Sequence, residues 1–243
     1  KVDALTRILE ATDYDATIGV DHVLPTGGCN QAFCVTTAAL TEPGDEVILP
    51  VPYYFNHDMW LKLDGVSVRY LDPGPTLIPD PAEAAKLIGD RTRAIVLVTP
   101  GNPTGVTIPP EVIRGFYDVA KAYGIALIID ETYRNFRLTD DPPHDLFNEP
   151  DWHDTVLSLH SFSKDLAIPG YRVGAVVAGE EVIYEIMKLD RPLREAIGAN
   201  ASTAELRRLA VSAGMRTLRQ AGIHRVLEGK TTIEEVIRET MGH

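Results

Sequence analysis

The residues of this chain best placed to do chemistry are Ser161-Phe162-Ser163-Lys164 and, eight positions on from the lysine, Arg172. An amine held partly desolvated on a connection after a strand, beside a cation, can bond covalently to an aldehyde as a Schiff base. Ser161 can hydrogen-bond a phosphate, and Arg172 can clamp one with two parallel donors. Together they suit a phosphorylated aldehyde. The same residues also read as a surface lysine in a polar loop, with an arginine pairing a carboxylate.

Four upstream segments bear on that choice: Thr26-Gly27-Gly28-Cys29-Asn30-Gln31, Pro52-Tyr53-Tyr54, Thr99-Pro100-Gly101-Asn102-Pro103-Thr104-Gly105 and Ile128-Ile129-Asp130-Glu131-Thr132-Tyr133. Each has an ordinary explanation. Asn-Pro and Thr-Gly are common turn dipeptides, Gly27-Gly28 makes a tight turn, an aspartate ending an apolar run often caps the next element, and Tyr53 and Tyr54 suit a core. Their occurrence together with Lys164 turns the reading towards a cofactor site.

With these motifs in this order, the chain resembles the class I/II aminotransferases, pyridoxal-phosphate enzymes of fold type I, from about residue 15 to about 178. The resemblance implies pyridoxal 5'-phosphate as cofactor and transfer of an amino group between an amino acid and a 2-oxo acid. Lys164 would be the Schiff-base lysine and then the base that moves the substrate proton. Asp130 would pair with the pyridine nitrogen and keep it cationic, which makes the ring an electron sink. Asn102 and Tyr133 would hydrogen-bond the phenolic oxygen, and Tyr54, rather than Tyr53, would stack on the ring. Gly28, Cys29 and Asn30 would carry the phosphate at the start of a helix, closed by Ser161 and Arg172. The family's site lies at a dimer interface, so a homodimer is implied. A carbon-sulfur lyase would share Lys164 and Asp130, and a non-catalytic scaffold would take up no cofactor.

The elements that must position these groups are legible as periodicity. Strand-like runs cover Glu46 to Leu49, Val66 to Leu71, Ala94 to Thr99, Ile125 to Asp130, Thr155 to His160 and Arg172 to Val177. Between them the clearest helix runs from Pro109 and Pro110 through Tyr123, with Val112, Ile113, Phe116, Val119, Ala120 and Tyr123 on one face. Strands alternating with helices predict an α/β fold, a mostly parallel sheet covered by helices on both faces. The candidate residues then fall at strand ends, where such sheets hold ligands.

Residues 183–243 read differently. Through Gly229-Lys230-Thr231-Thr232-Ile233-Glu234-Glu235-Val236 they resemble the C-terminal tail of type II secretion and type IV pilus assembly ATPases, although no Gly-x-x-x-x-Gly-Lys-Ser/Thr occurs. A large domain over residues 1–178, truncated at its N-terminus, and a helical segment over 179–243 are expected, with the chain as a chimera, a mispredicted or designed chain, or a truncated fusion. In the tail Leu206, Leu209, Ala210, Ala213, Met215 and Leu218 make an apolar stripe, Gly222 and Gly229 mark breaks, and Thr231-Thr232 with Glu234 and Glu235 reads as a capping box. No arginine that would bind a substrate carboxylate is identifiable, so cofactor binding is expected ahead of turnover.

Composition removes other classes. The 243 residues are 44% hydrophobic with a net charge of -12, which argues against nucleic acid as a partner. No apolar run is long enough for a bilayer and no leader-like N-terminus is present, so no membrane association and a cytoplasmic location are expected. Cys29 and Cys34 form neither a disulfide framework nor a zinc motif. His144, Asp145, Glu149, Asp151, His153 and Asp154 crowd one stretch but match no ligand spacing, so a solvated loop and no metal are expected. His57 is expected to pack near the strand end at Tyr54 rather than to titrate in catalysis.

Overall fold

The structure is a computed structural model that describes residues 18–138, 142–186, 202–212, 218–227, 229 and 231–240. The chain divides into two compact units, residues 1–186 and 187–243. The first continues past residue 178 because helix α6 (Glu180–Ile186) buries Ile183 in the core beside β7.

The first unit is built on seven strands: β1 (Val23–Thr26), β2 (Glu46–Pro50), β3 (Ser67–Leu71), β4 (Thr92–Val98), β5 (Ala126–Asp130), β6 (Val156–Ser161) and β7 (Gly174–Val177), in the order β1-β7-β6-β5-β4-β2-β3. Strands β2 to β6 pair in parallel, and β7 runs antiparallel to both β6 and β1. The expected strands are present with small shifts. The last begins at Gly174 instead of Arg172, because Arg172 holds a left-handed φ of 50° after a short turn over Pro169–Tyr171. Strand β1 was not expected from the sequence. It is four residues long with Pro25 inside it, and it sits at the sheet edge, where the missing N–H is tolerated.

Side chains alternate between the two faces. Ile95, Leu97, Leu127 and Ile129 face one core, and Ala94, Val96, Ala126 and Ile128 the other. The first core is covered by α4 (Pro110–Tyr123), whose Ile113, Phe116, Tyr117 and Ala120 are buried. Burial of Ile113 and of Phe116 contributes about 1.5–3 kcal/mol each. Gly124 ends this helix in the left-handed conformation, φ 64°, its N–H bonding back to the last turn. Tyr123, placed on the buried face by periodicity, is exposed, and Tyr117 is buried in its stead. The other core is covered by α1 (Cys29–Leu40), α2 (Phe55–Leu63) and α6, through Phe33, Leu61 and Ile183. Two short helices, α3 (Pro81–Ala85) and α5 (Phe162–Asp165), complete the unit.

The second unit contains α7 (Thr203–Ser212), α8 (Leu218–Leu227) and α9 (Ile233–Thr240). Gly229, φ 70°, breaks the chain between α8 and α9 as expected. Gly222 does not: it lies inside α8, where a Cβ would come within 2.7 Å of the Val236 side chain, so this glycine permits close helix packing. Thr232 caps α9, its hydroxyl accepting from the Glu235 N–H at 3.2 Å. Of the expected stripe, Ala213 and Met215 lie outside the described residues, and Leu209 is half-buried.

Candidate active site

The C-terminal ends of β4, β5 and β6 point the same way and open into one cavity of about 230 Å³. Asn102 reaches it from the loop after β4, and Asp130, Thr132 and Tyr133 from the end of β5. Ser161, Ser163 and Lys164 come from the end of β6 and from α5, Cys29 and Asn30 from the start of α1, Tyr54 from the cap of α2, and Arg172 from the turn before β7. Every residue to which the family resemblance gives a cofactor role, except Gly28, lines this space, and Gly28 lies against the Arg172 guanidinium.

Asp130 is the buried charge of the cavity. One carboxylate oxygen accepts the Thr132 backbone N–H at 3.0 Å and faces the Cys29 thiol at 3.5 Å, and the other lies 3.2 Å from His57 Nε2. Burial alone would raise its pKa, but the His57 hydrogen bond and charge, with the Thr132 donors, hold the carboxyl below its ordinary value. It is therefore an anion near neutral pH. The Cys29 thiol is driven the other way, well above its usual value, by burial and by the neighbouring Asp130 charge.

His57 borders the site through Asp130, a role that sequence reasoning did not give it. It packs near Tyr54 as expected, in edge contact at 5.3 Å, and stacks on Phe33 at 4.0 Å. It does so from the first turn of α2, not from a strand end, and its free edge meets Asp130. The available signal was its spacing three residues after Tyr54, which on a helix start puts both on one side. Tyr53 points elsewhere and stacks on Tyr70 at 5.5 Å.

The start of α1 and the turn before β7 give the cavity an anion cradle. Gly28 precedes α1 with φ 92° and offers no side chain to cap the helix, so the first-turn N–H groups stay available. The turn lies so close to β7 that a Cβ on Gly174 would fall 2.7 Å from the Gly28 carbonyl carbon and 2.9 Å from the Cys29 nitrogen. Arg172 Nη1 and Nη2 make long hydrogen bonds to the backbone carbonyls of Pro169 (3.3 Å) and Gly27 (3.4 Å). Ser161 caps α5 by accepting the Ser163 N–H at 3.3 Å, which leaves its hydroxyl proton to donate. Ser163 Oγ is buried with no hydrogen-bond partner among the described residues. Uncapped N–H groups, an orphaned hydroxyl and a guanidinium together match a phosphate monoester.

Lys164 stands on α5 at the cavity wall and is exposed, not partly desolvated as the sequence suggested, because α5 is a single turn with its lysine on the open side. The residues around it fit pyridoxal phosphate: an amine for the aldehyde, a buried anion for the ring nitrogen, polar groups on Asn102 and Tyr133, an aromatic face at Tyr54 and a cradle for the phosphate.

The stretch from His144 to Asp154 is less solvated than expected. His144 is buried 3.5 Å from Glu131, while Asp145 and Glu149 bind Arg114 and Asp151 binds Lys121 on the outside of α4. Among the described residues no group of three His, Cys, Asp or Glu is arranged to hold a metal. No described helix is long and apolar enough to cross a membrane.

Comparison with known proteins agrees with this geometry. The family described as aminotransferase class I and II matches residues 3–221, which carries the similarity beyond residue 178 into part of the segment that the sequence had set apart. An aspartate aminotransferase of Pyrococcus horikoshii is 35% identical over 178 residues, 72% of this chain and 45% of its own length. One from Thermotoga maritima is 29% identical over 82% of this chain and 53% of its own. The chain thus spans about half the length of the curated relatives it matches. Among solved structures, Escherichia coli YbdL, reported with a methionine aminotransferase function, superposes with a TM-score of 0.71 at 26% identity over 79% of this chain and 51% of its own. Thermus thermophilus aspartate aminotransferase with maleate gives 0.68 at 26% identity over 76% and 47%. In its sequence match and in the fold that carries its cavity, the chain belongs to the class I and II aminotransferases.

Proposed function

We propose that this chain binds pyridoxal 5'-phosphate at the cavity between Lys164 and Asp130 and serves transfer of an amino group between an amino acid and a 2-oxo acid. The observation that carries the reading is the convergence of an exposed lysine, a buried carboxylate held as an anion, and an uncapped helix start beside Arg172 on one cavity. When bound, the cofactor supplies an electron sink for the charge left at the substrate Cα. Lys164 would hold it by its ε-amine and would be the base for the proton at that carbon. Asp130, steadied by His57, would keep a negative charge at the ring nitrogen. Tyr54 would stack on the ring, Asn102 and Tyr133 would hydrogen-bond its phenolic oxygen, and Gly28, Cys29, Asn30, Ser161 and Arg172 would hold the phosphate.

The relatives' names favour amino transfer over carbon-sulfur lysis, since they are aspartate and aromatic aminotransferases. A homodimer is part of the proposal. Exposed Phe55, Phe136, Leu166 and Tyr171 follow or neighbour the lining residues Tyr54, Tyr133, Lys164 and Arg172 along the chain, and apolar surface of this kind favours a partner at the cavity mouth. A cytoplasmic location fits the two free cysteines. The likeness of the tail to secretion ATPases remains part of the proposal only as an appended module without chemistry, since all lining residues lie between Cys29 and Arg172.

The test is to load the protein with pyridoxal phosphate and supply aspartate, phenylalanine or methionine with a 2-oxo acid acceptor. Appearance of the donor's 2-oxo acid, dependent on the acceptor and lost in Lys164→Ala, is expected. Release of pyruvate and ammonia from cysteine without any acceptor would instead establish the lyase.

A further inference from the structure

Beneath the cavity, on the far side of the β5 and β6 ends, lies a cluster of buried polar residues for which the proposed reaction has no use. Glu131, next to Asp130, accepts from Ser158 Oγ at 2.6 Å, and Ser158 Oγ lies 2.9 Å from His160 Nε2. His160 Nδ1 is 3.1 Å from Arg134 Nη1, and His144 Nε2 is 3.5 Å from the other Glu131 oxygen. All five residues are buried. They come from the end of β5, the turn after it, the loop before β6 and β6 itself.

An apolar filling would hold these elements together at lower cost, because burying a charged pair costs several kcal/mol in desolvation before its attraction is counted. What a hydrogen-bonded cluster adds is direction. Apolar contacts tolerate sliding, whereas a 2.6 Å hydrogen bond between neighbouring parallel strands fixes their relative position. The backbone adds a further tie where the Glu131 N–H donates to the Leu159 carbonyl at 2.9 Å. On the cavity side, the same two strand ends deliver Asp130 and Lys164.

We propose that Glu131, acting through Ser158 and His160, is a positioning residue of the cofactor site: it ties the ends of β5 and β6 and thereby sets how Asp130 and Lys164 stand relative to one another. The inference rests on the cofactor reading above. Glu131 also balances the Arg134 cation behind Asp130, facing His144 and His160 as well, so loss of its charge makes the surroundings of the lysine-bound cofactor more positive.

The experiment titrates pyridoxal phosphate into wild type, Glu131→Gln, Ser158→Ala and, as a core control away from the cluster, Ile113→Val. It reads the dissociation constant, the borohydride-fixed yield on Lys164 and the pH midpoint of the visible band. Expected are a tenfold or greater weakening for Glu131→Gln and Ser158→Ala and a lower pH midpoint for Glu131→Gln, with Ile113→Val at wild-type values. Folded Glu131→Gln and Ser158→Ala proteins with wild-type affinity and midpoint would overturn the positioning role. Should Glu131→Gln not fold, Ser158→Ala decides by its affinity and trapping yield. A folded wild type that takes up no pyridoxal phosphate overturns the cofactor reading itself, and this inference with it.

Discussion

His57 Nε2 lies 3.2 Å from Asp130 Oδ2, with both side chains almost fully buried. A buried carboxylate left short of a donor costs about 1–3 kcal/mol. His57→Phe keeps a ring stacked on Phe33 but removes the donor, so it should lower unfolding free energy at pH 7 by about that amount. The sign with pH follows from the depressed Asp130 pKa. Stability from this contact is complete above the unfolded carboxyl pKa, about 3.9, and is lost as pH falls through the lower folded value. Urea unfolding should therefore show the gap between wild type and variant at pH 7 and its shrinkage below about pH 4.

Arg172 is poised for an anion rather than locked in an ion pair, as its long bonds to two backbone carbonyls indicate. Arg172→Ala should weaken pyridoxal phosphate by roughly ten- to a hundredfold, the worth of a charge-assisted contact, while leaving unphosphorylated pyridoxal nearly unaffected. Parallel titrations of the two ligands check this.

Gly174 meets backbone atoms within 3 Å wherever a Cβ would point. Backbone cannot swing aside as a side chain can, so Gly174→Ala must push the Gly28-Cys29 turn off β7. A stability loss of about 2–4 kcal/mol is expected, read by thermal unfolding, together with weaker binding of the phosphorylated cofactor.

His160 is held down to about 3 by burial and then by the Arg134 cation, with Glu131 opposing. Between its unfolded pKa near 6.5 and that folded value only the unfolded chain takes up the proton, so acidification erodes stability by up to roughly 1.4 kcal/mol per pH unit. Urea unfolding from pH 7 to pH 4 should be steeper for wild type than for His160→Gln, which lacks this group.

How much of this was legible in the sequence depends on how local the signal is. The parallel strands were readable because Ile95, Val96 and Leu97, or Leu127, Ile128 and Ile129, are continuous apolar runs bounded by turns. Asp130 and Lys164 were readable because each sits at such a boundary inside a motif. The partnership of His57 with Asp130 was not, since it joins residues far apart in sequence through the packing of α2. The Glu131 cluster was hidden for the same reason: His144 and His160 look like loop and strand polar residues until the fold buries them together. In sequence Gly222 reads as a break because a glycine marks either a turn or a close approach, and only the Val236 contact distinguishes the two.

Bonding of Lys164 to pyridoxal phosphate in the cavity it shares with Asp130 is read from the visible spectrum of the purified chain with added pyridoxal phosphate, before and after borohydride, for wild type and Lys164→Ala. Wild type should show a band that borohydride abolishes while fixing the cofactor on the peptide containing Lys164, and the variant should show no such band. A folded wild type without the band, or label fixed equally in Lys164→Ala, would rule out Lys164 as the anchoring amine.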